Sequence, residues 1–303
     1  MPNFVVITIH SKKQPFTDRT INSYRIMPKS ISLIISFYNR IDFLKLIFAG
    51  LEQQKCHDFE VIIADDGSRD EIVKELNLLI GRASFPVTHL WHEDKGWQKN
   101  TILNKAIVAA EADYIIFIDG DCIPHPLFIQ EHLLSKVPNQ VVCGRRVTLT
   151  KQISSQLDAT TIQGKYFHTK LFFQLLKASI FGKEQTRIRH MMRLSNRTLR
   201  SWFVKDKEKG ILGCNFSVCK QDLLDVNGFD ERFVYPGMGE DSDLENRLRQ
   251  NGVRLVSKKF YVTVYHLYHG PLGAYDDMNY TLFNENLNNN VTYTPYGIVK
   301  NSN

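Results

Sequence analysis

Four strand-like runs alternate with three helix-like segments between residues 31 and 118 of this 303-residue chain. The strand-like runs are apolar at successive positions, as in strands that are buried on both faces of a sheet. The intervening segments repeat apolar side chains at helical spacing. This alternation predicts an α/β fold with a mostly parallel central sheet flanked by helices. The predicted strands are 31–36, 59–64, 86–91 and 114–118, and the predicted helices are 42–54, 70–80 and 99–110.

Three of the predicted strands end in side chains that suit a nucleotide. In such sheets, ligands bind outside the carboxyl ends of the strands. Tyr38 after the first strand is placed to lie against a base, and Asp65 or Asp66 after the second to accept a hydrogen bond from a uracil imide or ribose hydroxyl. A plain turn with a helix N-cap explains 65–68 equally well. The absence of G-x-G-x-x-G and G-x-x-x-x-G-K-[ST] motifs argues against dinucleotide and P-loop sites.

The fourth strand ends in Asp119, Gly120 and Asp121. Residues two apart on an extended chain point the same way, so the two carboxylates are expected to converge on one target. Gly120 leaves room for a ligand to approach the backbone. Paired carboxylates suit Mg²⁺ or Mn²⁺, either of which neutralises a diphosphate. The competing interpretation is an ordinary polar turn at the end of the strand.

Composition indicates a globular protein of a reducing compartment. Hydrophobic residues make up 43% of the chain and charged residues 23%. The five cysteines form no C-x-x-C pair, which argues against a disulfide framework and a zinc ribbon. The first residues lack a basic region followed by a long apolar run, so we expect a cytoplasmic protein.

The net charge of +6 is concentrated in one segment. Residues 165–209 contain twelve Lys or Arg and three Asp or Glu, a local net charge of +9. Apolar residues are interspersed between 167 and 181. The segment suits an anionic membrane surface at the inner face of the cell membrane, an acidic glycan or nucleic acid. The favoured interpretation is a solvated helical insertion with an apolar underside.

The second half of the chain carries two further groups of chemical interest. Glu240 and Asp241 open a predicted helix, where a helix dipole alone already favours acidic residues. The preceding segment 235–239 is predicted to be a loop that closes over substrate. His266 and His269 follow an apolar strand and are candidate metal ligands, although a structural histidine is the more common outcome.

Several short motifs, taken in order, resemble one enzyme family. The runs ISLIISFYNR, FEVIIADDGSRD and KGWQKNTILNKAIVAAEADYIIFIDGDCIPHP resemble the nucleotide-sugar half of family 2 inverting glycosyltransferases of the GT-A (Rossmann-like) fold. The stretches 213–217, 227–230 and 239–241 resemble the acceptor half, including the galactosyltransferase-like C-terminal part of bacterial chondroitin-type polymerases. The resemblance covers residues 31–145 and 211–270.

The resemblance implies a role for each matching residue. Asp241 would be the catalytic base and Glu240 would position the acceptor. Asp121, His266 and Asp119 would hold Mn²⁺, or Mg²⁺, with His269 as the alternative to His266. The family has an arginine where this chain has Leu103, and Lys99 one turn earlier would replace its charge. The implied donor-binding set is Tyr38, Asp65, Asp66, Lys99, Asn104, Asp119, Gly120 and Asn215.

The expected function is transfer of a hexose or N-acetylhexosamine from a UDP-sugar to a hydroxyl of a glycan or lipid-linked oligosaccharide in bacterial surface polysaccharide synthesis. UDP-galactose and UDP-N-acetylgalactosamine are the favoured donors, and no nucleic acid partner is expected. The alternatives are a sugar-nucleotide nucleotidyltransferase and a non-catalytic module that binds membrane or nucleic acid through the basic segment. The predicted parts are an N-terminal extension (1–29), a nucleotide-sugar half (30–145), a helical basic insertion (146–210), an acceptor half (211–270) and a C-terminal tail (271–303).

Overall fold

The four predicted strands form the middle of an eight-stranded sheet. A computed structural model describes residues 6–9, 29–165, 167–181, 210–237, 239–258, 261–270 and 277–300. The strands are β1 Val6–Ile9, β2 Ile31–Phe37, β3 Phe59–Asp65, β4 Val87–Trp91, β5 Tyr114–Asp119, β6 Cys122–Pro124, β7 Gln140–Cys143, β8 Arg145–Thr148, β9 Asn215–Cys219, β10 Arg254–Ser257 and β11 Thr263–His266. The helices are α1 Ile41–Leu51, α2 Asp70–Ile80, α3 Lys99–Ala109, α4 Phe128–Ser135, α5 Lys151–Ser155, α6 Ala159–Gln163, α7 Phe167–Phe181, α8 Lys220–Asp225, α9 Glu240–Gln250 and α10 Asp277–Asn288.

The order of the strands places a crevice at the carboxyl ends of β2 and β5. The large sheet runs β1-β4-β3-β2-β5-β9-β7-β10, and β1 and β9 run against the direction of the others. From β2 the chain proceeds outward through β3 and β4, then returns to the other side of β2 as β5. This reversal is the switch point at which α/β sheets bind ligands. Strands β6, β11 and β8 form a second, three-stranded sheet that continues from the end of β5.

The strand sequence is apolar at every position because the large sheet is covered on both faces. In β2, Leu33 and Ile35 pack in one core with α1 and α2, whereas Ile34 packs in the other core with α3 and α9. All seven residues of β3 are buried. Burial on both faces is what a parallel sheet between two helical layers requires, so the predicted fold class is confirmed.

The predicted helical insertion, 146–210, begins in strand β8, which pairs with β11, and continues in the described residues as helices α5, α6 and α7. Phe167, Leu171 and Leu175 are buried at spacings of four residues, while Phe173 and Ile180 are 61% and 63% exposed. Helix α7 therefore has the apolar underside expected of a solvated insertion. Most of the basic residues, 182–209, lie outside the described residues. Across the described ranges, no helix combines the length and the apolarity needed to cross a membrane.

Both predicted peripheral segments contribute to the fold. The apolar run 6–9, predicted as part of an extension, forms β1 and pairs with the open edge of β4. The predicted C-terminal tail, 271–303, contains α10 and a final stretch that is hydrogen-bonded to Asn227. Backbone groups at a strand edge or in a loop need hydrogen-bond partners, and a terminal segment can supply them even when its own sequence is polar.

Candidate active site at the carboxyl end of β5

Asp119 and Asp121 take different partners. The chain turns at Gly120 and Asp121, so the extended geometry that would have aimed both carboxylates at one target ends at Asp119. Asp119 Oδ1 accepts a hydrogen bond of 2.8 Å from Ser36 Oγ and lies 3.1 Å from Lys99 Nζ. Packing also requires a glycine at position 120, because a Cβ there would lie 2.6 Å from the carbonyl oxygen of Ser36.

Asp121 joins two histidines from the far end of the domain. Its Oδ2 lies 3.2 Å from His266 Nε2 and 3.1 Å from His269 Nε2. The three ligand atoms lie within 4.8 Å of one another. Backbone pairing fixes the arrangement, because β11 pairs with β6 and the N–H of Leu267 donates to the carbonyl of Asp121 at 2.9 Å. Asp119 was predicted as a metal ligand, but it lies outside this cluster.

The donor atoms of this cluster fit a divalent cation. His269 Nδ1 lies 2.6 Å from the carbonyl oxygen of Gly270, which can only accept, so Nδ1 carries the proton. Neutral His269 therefore points the lone pair of Nε2 at the Asp121 carboxylate. Two acceptors in contact need a proton or a cation between them. One carboxylate and two imidazoles suit Mn²⁺ or another transition metal better than Mg²⁺.

The pKa shifts of Asp121 and His269 both arise from hydrogen bonds between the carboxylate and the imidazole rings. The hydrogen bond with Asp121 raises the pKa of His269, against the opposing effect of burial. Burial alone would raise the pKa of Asp121, but hydrogen bonds from His266 and His269 outweigh it and hold this pKa below its usual range. His266 Nδ1 is buried and has no hydrogen-bond partner among the described residues. The carboxylate thus stays ionised and available to a cation.

A buried ammonium group joins Asp119 to the acidic pair at the start of α9. Lys99 Nζ, 3.1 Å from Asp119 Oδ1, also lies 4.0 Å from Glu240 Oε1. Burial alone would lower the pKa of Lys99, but Asp119, Glu240 and Asp241 together raise it above its ordinary value. Lys99 therefore remains charged, and it faces the acidic pair as well as the donor side.

Glu240 and Asp241 are carboxyl groups with raised pKa values. Burial raises the pKa of Glu240 to about 7, opposed by Lys99 and reinforced by Asp241. Burial likewise raises the pKa of Asp241, again opposed by Lys99. Glu240 Oε2 is buried without a hydrogen-bond partner among the described residues. A raised pKa makes the ionised carboxylate a stronger base than an ordinary aspartate or glutamate, as general base catalysis requires.

Gly213 holds the carboxylate of Asp241 in place. The N–H of Gly213 donates to Asp241 Oδ2 at 2.8 Å, which leaves Oδ1 to meet a ligand. A Cβ at position 213 would lie 2.5 Å from both oxygens, so only glycine allows this approach. A cavity between the two halves connects these groups and is lined by Ser36, Lys99, Leu103, Phe117, Ile118, Asp119, Gly213, Phe216, Phe229, Glu240 and Asp241.

Asp66 and Tyr38 lie after β3 and β2, at the edge of the sheet where a nucleotide is predicted to bind. Asp66 Oδ1 lies 2.7 Å from His92 Nε2, and its Oδ2 accepts from the backbone N–H of Gln98 at 3.0 Å. Tyr38 is 49% exposed, and its hydroxyl donates to Asp94 at 2.9 Å. The roles of Asp66 and Tyr38 in donor binding stay predictions.

Three other predicted donor contacts have structural roles. Asp65 is fully buried, and its two oxygens bind the N–H of Ser68 and the ring of His89. Asn104 binds the carbonyl and the N–H of Phe229 and so ties α3 to the acceptor half. Asn215 is fully buried, where it donates to the carbonyls of Arg145 and Val262. Asp65, Asn104 and Asn215 are 0%, 3% and 0% exposed, so a ligand has little access to them, and their contacts with the donor stay predictions.

Sequence reasoning missed three residues that shape the site: His92, Gly213 and Ser36. His92 follows β4 at the same edge of the sheet as the other strand ends, so the strand-end rule could have identified it. Gly213 and Ser36 carry no such signal, because their importance depends on contacts with residues 28 and 83 positions away.

Comparison with known proteins assigns the family. The profile for glycosyl transferase family 2 matches residues 32–202, which is more than half of the chain. This chain belongs to glycosyl transferase family 2. A second profile, described as the N-terminal domain of galactosyltransferase, matches residues 193–270 of this family 2 protein. The two matches together cover both halves of the site.

The relatives of this family 2 protein include two chondroitin synthases. Chondroitin synthase of Escherichia coli is 30% identical over 234 residues, which cover 73% of this chain and 32% of that protein. Chondroitin synthase of Pasteurella multocida is 25% identical over 238 residues, which cover 73% of this chain and 23% of that protein. This family 2 chain thus spans about a third or less of the length of these relatives.

A solved structure places the family 2 protein in the GT-A fold. A crystal structure of GalNAc-T7 with UDP, GalNAc and Mn²⁺ matches with a TM-score of 0.56 and 14% sequence identity. The match covers 86% of this chain and 48% of that chain. The predicted fold and the resemblance to family 2 are confirmed.

Proposed function

We propose that this chain is a metal-dependent inverting glycosyltransferase that moves a hexose or N-acetylhexosamine from a UDP-sugar to a hydroxyl of a glycan or lipid-linked oligosaccharide. The observation that carries the proposal is the distribution of groups around the end of β5. Asp121 faces two histidines on one side, and on the other side Lys99 lies between Asp119 and the buried Glu240, with Asp241 next along the chain. The first group suits a cation that binds a donor diphosphate. The second group supplies a carboxylate that can take the proton of an acceptor hydroxyl.

Asp121, His266 and His269 would hold the cation. A bound Mn²⁺ would neutralise the donor diphosphate and so improve it as a leaving group. Asp119 would then serve the donor by a hydrogen bond to a hydroxyl, because its Oδ1 is already fixed by Ser36 and Lys99. This division revises the expectation that both aspartates bind the cation.

Asp241 would act as the general base. Its Oδ1 takes the proton of the acceptor hydroxyl while that oxygen forms a bond to the anomeric carbon. The bond from the anomeric carbon to the diphosphate breaks in the same step, and the UDP diphosphate leaves with the electron pair. One displacement inverts the configuration, and no covalent nucleophile takes part. Lys99 stabilises the ionised form of Asp241, whose pKa burial raises.

The favoured donors are UDP-galactose and UDP-N-acetylgalactosamine. Support comes from the galactosyltransferase profile over residues 193–270 and from the chondroitin synthase relatives. Synthesis of a bacterial surface polysaccharide is the setting that these relatives favour. A nucleotidyltransferase or a non-catalytic binding module would give no role to two adjacent buried acids with raised pKa values.

A donor screen tests the proposal. UDP release is measured with Mn²⁺ for UDP-galactose, UDP-glucose and their N-acetylated forms, with and without glycan acceptors. We expect acceptor-dependent release from one of the galactose-type donors.

Asp241→Asn should bind UDP as the wild type does and lose roughly 10²-fold to 10⁴-fold in turnover. Asp42→Asn, an exposed carboxylate on α1, is the control. Near-normal turnover by Asp241→Asn would show that the base is a different residue.

A further inference from the structure

Helix α7 exposes a stripe of basic and apolar side chains, which we call the outer face of α7. The stripe consists of Lys170, Phe173, Lys177 and Ile180. Because a helix turns by about 100° per residue, these side chains lie within about 80° of one another around the axis. Phe173 and Ile180 are 61% and 63% exposed, and both lysines are exposed as well. The outer face thus alternates a cation with a large apolar group.

The opposite side of α7 is fixed to the domain. Leu171 and Leu175 are 0% exposed and belong to the core that also contains Tyr265. His168 Nδ1 lies 2.9 Å from the hydroxyl of Tyr265, on the strand β11 that carries His266. These contacts determine how the helix is rotated about its axis. The outer face therefore points away from the domain, and its apolar side chains do not serve the core.

The apolar side chains of the outer face favour a partner with an apolar interior. Transfer of such a side chain out of water is favourable in proportion to the area that is removed from water. A lipid bilayer provides an apolar region directly below its charged headgroups. Nucleic acid and acidic glycans are hydrated polyanions, which can neutralise lysines but leave an aliphatic side chain such as Ile180 in water. The outer face therefore suits a bilayer better than it suits either polyanion.

The charge of the outer face is complementary to an anionic bilayer. Residues 165–181 contain three lysines and no Asp or Glu, and residues 182–209 contain nine Lys or Arg and three Asp or Glu. A lysine can keep its aliphatic stem in the apolar region while its ammonium reaches a lipid phosphate. Helices that lie in the membrane interface combine apolar insertion with this electrostatic attraction. Both components are present on α7.

We propose that the outer face of α7 docks the protein on the surface of an anionic lipid bilayer. Phe173 and Ile180 insert at the level of the headgroups, and Lys170 and Lys177 bind lipid phosphates. This docking needs neither a donor nor an acceptor, so it is independent of the transferase activity.

One consequence of the docking rests on the proposed function. A membrane on the outer face is separated from β11 by one helix, about 10 Å thick. Strand β11 carries His266 of the cation cluster. Of the two kinds of acceptor in the proposed function, docking therefore favours the lipid-linked oligosaccharide, which is held at the same surface.

Sedimentation with lipid vesicles tests the docking. The full chain is mixed with vesicles of equal parts phosphatidylcholine and phosphatidylglycerol, and with vesicles of phosphatidylcholine alone. The wild type should bind the anionic vesicles roughly tenfold more strongly. The double variant Phe173→Gln with Ile180→Gln should bind them roughly tenfold less than the wild type, because it lacks both inserted groups. Lys170→Gln and Lys177→Gln should each lower the binding about fivefold.

Val108→Gln is the matched control for the apolar variant. Val108 is 58% exposed on α3, whose buried side chains pack on the other face of the large sheet from α7. This variant also loses an exposed apolar side chain of a helix, and it should bind vesicles as the wild type does. Thermal unfolding of each variant shows whether it is folded. If the double apolar variant is not folded, the two lysine variants decide.

The outcomes separate the docking from the proposed function. The docking is overturned if the wild type does not bind anionic vesicles, or if the folded double apolar variant binds them as well as the wild type. Binding to heparin or single-stranded DNA without binding to the vesicles also overturns it, because the partner is then a hydrated polyanion. Vesicle binding without turnover in the donor screen refutes the proposed function alone. Turnover on soluble acceptors without vesicle binding refutes the docking alone.

Discussion

Lys99 opposes the effect of burial on the pKa values of Glu240 and Asp241. Its ammonium lies against Asp119 and Glu240 and lowers the pKa of Asp241 against the effect of burial. Interactions between charges strengthen where water is excluded, so one buried cation influences three acids. The sequence suggested that Lys99 replaces a donor-binding arginine. Its position between the two halves indicates that it also tunes the acid and base groups of the acceptor side.

Gly213→Ala should lower turnover without weakening UDP binding. The added Cβ would lie 2.5 Å from the oxygens of Asp241, so the carboxylate must move away from its position. A displacement of about 1 Å costs roughly 10²-fold in rate. Steady-state kinetics and UDP calorimetry check this expectation. Gly81→Ala is the matched control, because its φ of −63° suits any residue. Normal turnover by Gly213→Ala would contradict the role given to Asp241.

Glu240→Gln should change how stability depends on pH. The pKa of Glu240 is raised to about 7 in the folded protein from an ordinary 4.5. Between these values the folded state holds a proton that the unfolded state has lost, so this group makes stability fall as pH rises towards 7. Glutamine cannot ionise, so the Glu240→Gln variant does not lose stability in this way as pH rises.

The melting temperature of Glu240→Gln relative to wild type should therefore rise between pH 5 and about 7 and then level off. Thermal unfolding across this range measures the difference. Glu75→Gln, at an exposed pair with Lys45, should show no such trend. A constant difference for Glu240→Gln across the range would mean that the pKa of Glu240 is ordinary.

At the scale of elements, α9 is held by a buried polar network at its inner face. Arg247 is 0% exposed and donates to the carbonyls of Val226 and Gly228, both at 2.7 Å. It also donates to Asp243 Oδ2, while Asp243 Oδ1 accepts from Asn286 on α10 at 2.7 Å. Because Glu240 and Asp241 open the same helix, this network fixes their position. Because Asn286 belongs to the C-terminal tail, the tail is part of the support of these two residues.

Asp243→Ala should destabilise the fold strongly. The substitution leaves the Arg247 guanidinium buried without its carboxylate, and breaking a buried pair in this way costs roughly 3–5 kcal/mol. Urea unfolding measures the change in the free energy of unfolding. Arg249→Ala removes an exposed i,i+4 pair with Glu245 on the same helix and should cost below about 1 kcal/mol. Equal losses in the two variants would refute the special role of the buried network.

At the scale of the molecule, the cluster of Asp121, His266 and His269 joins distant parts of the chain. Asp121 lies in the predicted nucleotide-sugar half, and His266 and His269 lie near the end of the predicted acceptor half. Pairing of β11 with β6 and β8 brings them together. A cation bound here would therefore link both halves of the domain to the donor diphosphate, and its affinity would depend on correct folding of both.

His269→Ala and His266→Ala should each weaken Mn²⁺ binding in the presence of UDP by roughly tenfold or more. Each removes one of three ligand atoms that lie within 4.8 Å of one another. Calorimetric titration with Mn²⁺ measures the effect. His57→Ala, an exposed histidine away from the cluster, should bind Mn²⁺ as the wild type does. If only one variant loses affinity, the other histidine is not a ligand.

The strands and their order along the chain were predictable because burial on both faces leaves a continuous apolar run in the sequence. The helices α1, α2 and α3 were predictable from their periodicity, with ends within three residues of those observed. The structure places Asp121 beside His266 and His269, and Glu240 and Asp241 beside Lys99, and the roles that the resemblance implies for these residues stay predictions. The side chains of Asp65, Asn104 and Asn215 bind protein groups, which the sequence could not show, because a polar residue beside a site has the same sequence signature whether it faces a ligand or the backbone.

The sequence by itself determined the α/β class, the family and the edge of the sheet at which the site lies. Local periodicity and short ordered motifs carry that information. Only the tertiary structure decided that Asp119 pairs with Lys99 while Asp121 pairs with two histidines. It also decided that His92 lies beside Asp66, and that the tail supports α9. These outcomes depend on one turn at Gly120 and on hydrogen bonds between residues far apart in the chain, which no local pattern encodes.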